Sequence, residues 1–320
     1  MNKSSTLAPL FGVSIDPAAA DPQEPFRRAQ AADEHGLDLI TVMDHPYNRR
    51  LLEAWTLLTA LATRTERVHV GSNVANLPLR RPALLAKQAA TLDVLTGGRV
   101  ELGLGAGAYW PGIVAYGGPK RPAGEAYTAF KEALHIIKGM WEHSGGSFSY
   151  EGEVYQVRGA QPGPAPAHSI PIWVGASGPR MLQLTGQMAD GVLVSTTYES
   201  PKRLLEINEQ IDEGANEAGR PPSAIRRGYN LMGVLDLGRP DTQITEREAN
   251  NIYGPVQAWV EQLVRLYRDY RQDTFIFWPV SGNRLVQIEA FAQEVVPAVR
   301  EALTNRPKDS RRPAQGSQSK

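Results

Sequence analysis

Short β-branched or apolar runs alternate with longer amphipathic segments along the whole chain. The runs fall at 10–15, 38–43, 67–73, 99–105, 170–175, 191–195, 227–235 and 274–280. Helix-length segments follow at about 25–35, 53–63, 83–95, 127–141, 180–187, 201–218, 256–268 and 285–303. Strands that each precede a helix run parallel, because a parallel pair needs a long crossover between its members. Eight such units predict an α/β fold of the closed (β/α)8 TIM-barrel type; an open doubly wound sheet is the alternative. Long connections after strands four and seven, and the lack of any composition break between halves, favour the barrel. "SFSYEGEVYQV" (147–157) predicts a small hairpin before strand five, turning at Glu151 and Gly152. One barrel domain is expected over 1–304. The tail 305–320 has almost no apolar residues, which predicts disorder.

Composition narrows the chemistry. Of 320 residues, 42% are hydrophobic and 21% charged, and 34 Lys plus Arg balance 34 Asp plus Glu. No overall field draws nucleic acid or an anionic membrane, so any anion must be bound locally. The absence of cysteine removes disulfides, thiolate metal sites and cysteine nucleophiles, leaving redox chemistry to a cofactor. A cytoplasmic location is expected, since no signal-peptide pattern or spanning apolar run is evident.

"RVELGLGAGAYWPG" (99–112) contains Gly-x-Gly-x-x-Ala from Gly103 to Ala108, with Glu125 about where a dinucleotide fold places its ribose carboxylate. The segment that follows carries three prolines and four glycines where the phosphate-binding helix should begin, so it cannot be that helix. The glycines are read instead as letting a flat ring approach the backbone at a barrel mouth.

Working groups in such barrels sit at the C-terminal ends of strands. Strand two ends in "TVMDHPYN", offering Asp44, His45 and Tyr47, and His45 is the only one of six histidines so placed. An imidazole there suits proton transfer near neutrality; capping of the next turn by Asp44 and His45 is the structural alternative. Strand one ends with a single carboxylate, Asp16, which argues against a metal hydrolase, and no metal site is expected. No Gly-x-Ser-x-Gly elbow occurs. After strand five, "GASGP" leads into a helix at about Pro179, so N–H groups near Ser177 and Gly178 are candidate phosphate donors.

Three blocks, "GLDLITVMDHPYN", "ATLDVLTGGRVELGLGAGAYW" and "PIWVGASGPRMLQLTGQMADGVLVS", occur in this order, and the chain resembles the luciferase-like monooxygenase superfamily. Within it, Gly-Pro-Arg-Met-Leu and Ala-Asp-Gly look like the branch using the deazaflavin coenzyme F420. The resemblance implies that His45 faces the reactive carbon with Asp44 beside it. It also implies that a cis peptide joins Asn73 to Val74 behind the ring, that Ala106 and Gly107 contact the cofactor, and that Ser177 and Gly178 hold its phosphate. Dehydrogenases of this branch that act on a sugar phosphate carry a glutamate where this chain has Ala108, so that substrate is not carried over. Tyr47, Tyr109, Trp110, Tyr116 and Trp278 are expected to wall an apolar pocket. The implied activity is hydride transfer between F420 and a small organic molecule by a homodimer; the alternative is an FMN-dependent monooxygenase supplied by a partner flavin reductase.

Overall fold

Each predicted strand sits between two parallel neighbours in a computed structural model that describes residues 7–243 and 248–305. The ring runs β1 (Leu10–Ser14), β2 (Leu39–Val42), β3 (His69–Ser72), β5 (Val100–Gly105), β8 (Ile172–Gly175), β9 (Gly191–Ser195), β10 (Arg226–Leu235) and β12 (Thr274–Pro279). It closes where Leu10–Val13 of β1 pair with Thr274–Phe277 of β12. β4 (Ala75–Asn76) continues β3 after a bulge: Val70 pairs with Val100, but Ala75 pairs with Leu104. One extra residue is therefore accommodated between them.

Period-two alternation separates two apolar layers. Phe11, Val13, Ile40, Val42, Leu102, Leu104, Phe275 and Phe277 point outward into the main core beneath the helices. Leu39, Trp173, Leu193 and Ile276 point inward and fill the barrel, with Val74 packed on them.

The outer layer comprises α1 (Glu24–Glu34), α2 (Ala54–Ala62), α3 (Pro82–Thr96), α4 (Trp110–Ala115), α5 (Ala123–Glu142), α6 (Pro179–Met188), α7 (Arg203–Glu217), α8 (Val256–Tyr270), α9 (Arg284–Ala290) and α10 (Val296–Thr304). A five-residue π turn, Phe291–Val295, joins the last two, where a single helix was expected. α4 was not expected. Its proline, Pro111, lies in the first turn, where a missing N–H costs no intrahelical bond. The helix ends after six residues, and Gly117 follows with φ +79°.

The hairpin forms from β6 (Phe148–Glu151) and β7 (Gln156–Ala160), with a turn longer than expected. The Glu132 carboxylate on α5 accepts from the backbone N–H groups of Glu153 (2.6 Å), Val154 (3.1 Å) and Tyr155 (2.8 Å). These bonds stretch the turn over four residues, and Gly152 leaves room for the carboxylate, which a Cβ would meet at 2.5 Å. β11 (Ile252–Gly254), in the long connection after β10, pairs with Gly233–Leu235 and was also missed. The expected tail lies outside the described residues beyond Asn305.

Candidate active site

The mouth is built from inward positions at the C-terminal strand ends: Ser14 on β1, Thr41 on β2, Asn73 in the bulge, Gly105 on β5, Gly175 on β8, Ser195 on β9, Asn230 on β10 and Trp278 on β12. Its floor is polar and uncharged. Asn73 Nδ2 donates to Asn230 Oδ1 at 2.6 Å and lies 3.2 Å from Thr41 Oγ1. β3 and β10 are four places apart in the ring of eight, so this amide pair spans the barrel. Ser14 Oγ and Asn76 Oδ1 are buried here without a hydrogen-bond partner. Unpaired buried polar atoms around an opening are what a ring with hydrogen-bonding edges would satisfy.

The peptide between Asn73 and Val74 is cis. The Val74 side chain lies against the inner faces of β5 and β8, where a Cβ on Gly105 would lie 2.7 Å from Val74 Cγ2 and one on Gly175 3.0 Å from it. A Cβ on Gly103 would meet Ser72 O at 2.0 Å. The glycines of strand four thus make room for the bulge and for Val74, which corrects the expectation that they admit a flat ring directly.

Asp44 and His45 follow β2 but behave differently. Asp44 is 1% exposed and accepts from Asn76 N (2.8 Å) and, through both oxygens, from Arg80 Nε (2.6 Å) and Nη2 (2.7 Å). Arg80 also holds Glu53, which caps α2 through Trp55 N and Thr56 N. Both oxygens of Asp44 are thus engaged, Oδ2 twice and Oδ1 once, which is the geometry of a strut. His45 is exposed to the mouth, and its Nδ1 lies 2.8 Å from Tyr47 Oη. Desolvation by the surrounding mouth holds its pKa below the ordinary value, against the opposing pull of Asp44, which favours the neutral imidazole. Nε2 has no hydrogen-bond partner among the described residues.

Tyr47 and Tyr109 stand 5.3 Å apart, forming a wall beside His45, and Trp110 packs over Gly107. Ala106 and Gly107 follow β5 at the rim, Gly107 with φ +97°. Trp278 lies two strands from His45, on the inward face of β12 with Ile276. Tyr116 does not join them: it is 58% exposed and lines an outer groove with Leu79 and Arg80. Ser177 and Gly178 precede α6, whose first turn lacks a side-chain cap, so backbone N–H groups there remain available to an anion. Glu125, by contrast, pairs with Arg121 at 3.3 Å, outside the mouth. Among the described residues, no three His, Asp or Glu side chains converge as metal ligands.

Sequence reasoning missed Arg80, Thr41, Ser14 and Asn230. Asn230 carried a signal, a lone amide between Tyr229 and Leu231 at an inward strand position. Arg80, in "LPLRRP", carried none.

A family model, described as luciferase-like monooxygenase, matches residues 4–273. The chain belongs to the luciferase-like monooxygenase family. It is 35% identical over 276 residues to a 5,10-methylenetetrahydromethanopterin reductase of Archaeoglobus fulgidus, covering 86% of this chain and 72% of that one. It is 31% identical over 270 residues to an F420-dependent glucose-6-phosphate dehydrogenase of Microbacterium testaceum, covering 82% and 78%. Among solved structures, an F420-dependent secondary alcohol dehydrogenase, bound to an F420–acetone adduct, superposes with a TM-score of 0.81 at 20% identity, covering 92% of this chain and 99% of that one. The F420-dependent tetrahydromethanopterin reductase of Methanopyrus kandleri gives 0.76 at 23% identity, covering 91% and 99%. The last two likenesses concern the fold.

Proposed function

We propose that this family member is an F420-dependent oxidoreductase that transfers a hydride between the deazaflavin and a small organic substrate. The observation that carries this reading is the solvent-facing His45, fixed through Nδ1 by Tyr47 above an uncharged amide floor. The sequence relatives named for F420 or for methylenetetrahydromethanopterin reduction favour it over the FMN alternative.

Bound F420 supplies a carbon that accepts or donates the hydride. The residues of this chain do the rest. Asn73, Asn230, Thr41 and Ser14 would offer donors and acceptors to the edges of the ring, and Val74 would back it. Ala106 and Gly107 would border it, and the N–H groups around Ser177 and Gly178 would hold its phosphate. With Nδ1 turned to the Tyr47 hydroxyl, Nε2 of the neutral ring carries the proton and donates a hydrogen bond to the substrate atom whose charge changes on hydride transfer. Tyr47, Tyr109, Trp110 and Trp278 exclude water from that atom. Asp44, held by Arg80, positions the β2 end that carries His45; in this reading it is a strut rather than a proton carrier.

A homodimer belongs to the same proposal. Leu84 and Leu95 of α3 are 57% and 70% exposed beside a groove of about 780 Å³ between α2 and α3, an apolar surface of the kind that oligomers cover. A cytoplasmic location is proposed with it. In the test, His45→Ala lowers turnover by about 10²-fold with F420 affinity changed far less, the usual size of a general acid-base contribution. Unaltered turnover removes His45 from the chemistry.

A further inference from the structure

Outside the barrel, the segment between β4 and α3, the loop before α5 and the hairpin turn enclose a second cavity of about 460 Å³. Arg80, Arg81, Arg121 and Tyr155 line it, with Gly117 and Gly118 on one side. Arg80 is committed to Asp44 and Glu53. The Arg81 side chain has no carboxylate partner and no hydrogen bond among the described residues, although it borders a concave surface. The Arg121 side chain is only 8% exposed; its Nε lies 3.3 Å from Glu125 Oε1, and that nitrogen has no hydrogen bond of good geometry. Its guanidinium stands 5.4 Å from the centre of the Tyr155 ring, and the Tyr155 hydroxyl interacts with both Arg121 and Arg81. α3 and α5 both start beside this cavity without a side-chain cap, adding positive potential to the two guanidinium groups. Glu132 beneath the turn is used by three backbone N–H groups, so Glu125 is the carboxylate that competes for Arg121.

We propose that this cavity is a binding site for a carboxylate or phosphate group, held by Arg81 and Arg121 with the Tyr155 hydroxyl as a third donor. Burying a guanidinium almost completely, with a neutral phenol and one misaligned acid as its partners, is costly unless a second anion completes its shell. The site stands apart from the mouth, and the proposal does not depend on the F420 reading.

The test follows the backbone amide resonances of Gly117 and Gly118 in protein labelled with ¹⁵N-glycine, titrated with inorganic phosphate at constant ionic strength. These local probes separate the cavity from any phosphate binding at α6. Saturable shifts are expected. The exposed substitution Arg81→Gln should weaken binding about tenfold, the effect of losing one charge-assisted contact. Glu125→Gln, which frees Arg121, should tighten it. Titration with F420 identifies the source. If F420 moves the same amides and abolishes the phosphate response, the anion is a group of the cofactor; if it leaves them unmoved, the ligand is a separate carboxylate or phosphate compound. No saturable shift at these amides, or midpoints unchanged in both variants, overturns the proposal.

Discussion

Replacing Asp44 by Asn separates a strut from a proton carrier with almost no change of shape. The amide keeps an oxygen for Asn76 N–H but turns an N–H group toward Arg80, losing the charge that two guanidinium contacts of 2.6 and 2.7 Å engage. Removing one partner of a buried ion pair costs about 3–5 kcal/mol. Arg80 keeps Glu53, but that side chain is 42% exposed and worth less. The expected loss is therefore near the lower bound, about 3 kcal/mol, or about 1 M in the urea midpoint at a slope of roughly 3 kcal/mol per molar. Intrinsic tryptophan fluorescence reports it. The same variant removes a negative charge that favours the imidazolium, so the pKa of His45, already lowered by desolvation, falls further. If neutral His45 is the working form, the acid limb of kcat/KM lies below pH 6.5, the ordinary histidine value, and moves to still lower pH in the variant. Wild-type stability, combined with a collapse of turnover and disappearance of that limb, would refute the reasoning and make Asp44 the proton carrier.

Gly105→Ala brings a Cβ within 2.7 Å of Val74 Cγ2. It should cost about 1–3 kcal/mol and weaken F420 binding, as overpacked cores do. Most of that loss should vanish in a Val74→Ala background, which denaturation of the four proteins of a double-mutant cycle measures; additive costs would show that Val74 is not the obstacle. Tyr47→Phe removes the hydroxyl 2.8 Å from His45 Nδ1. The Asn76 side chain hydrogen-bonds the phenol oxygen, leaving the phenol hydrogen to His45, where it favours the neutral ring. The acid limb should accordingly move to higher pH, and an unmoved limb means the contact does not set the His45 state.

The barrel was legible because each inward or outward position repeats at period two and each helix at its own longer period. Phe275, Ile276 and Phe277 fall on alternating faces as that pattern requires. His45 could be placed from its strand end alone. The assignment of Asn73 and Val74 came from the family likeness; Gly71 in "GSNVAN" allows the strand to bend there but does not single out the pair. What escaped was long-range. Arg80 reaches Asp44 across 36 positions and Asn230 meets Asn73 across 157, so neither partner appears in the other's neighbourhood. α4 escaped for the opposite reason: proline and glycine density outweighed the tolerance of a first helical turn for proline.

Cofactor choice is the most direct measurement of the central claim. Purified protein titrated with oxidised F420 and, separately, with FMN, each followed by cofactor fluorescence, should bind F420 more tightly by at least about tenfold, or about 1.4 kcal/mol. Saturable FMN binding without measurable F420 binding would contradict the account.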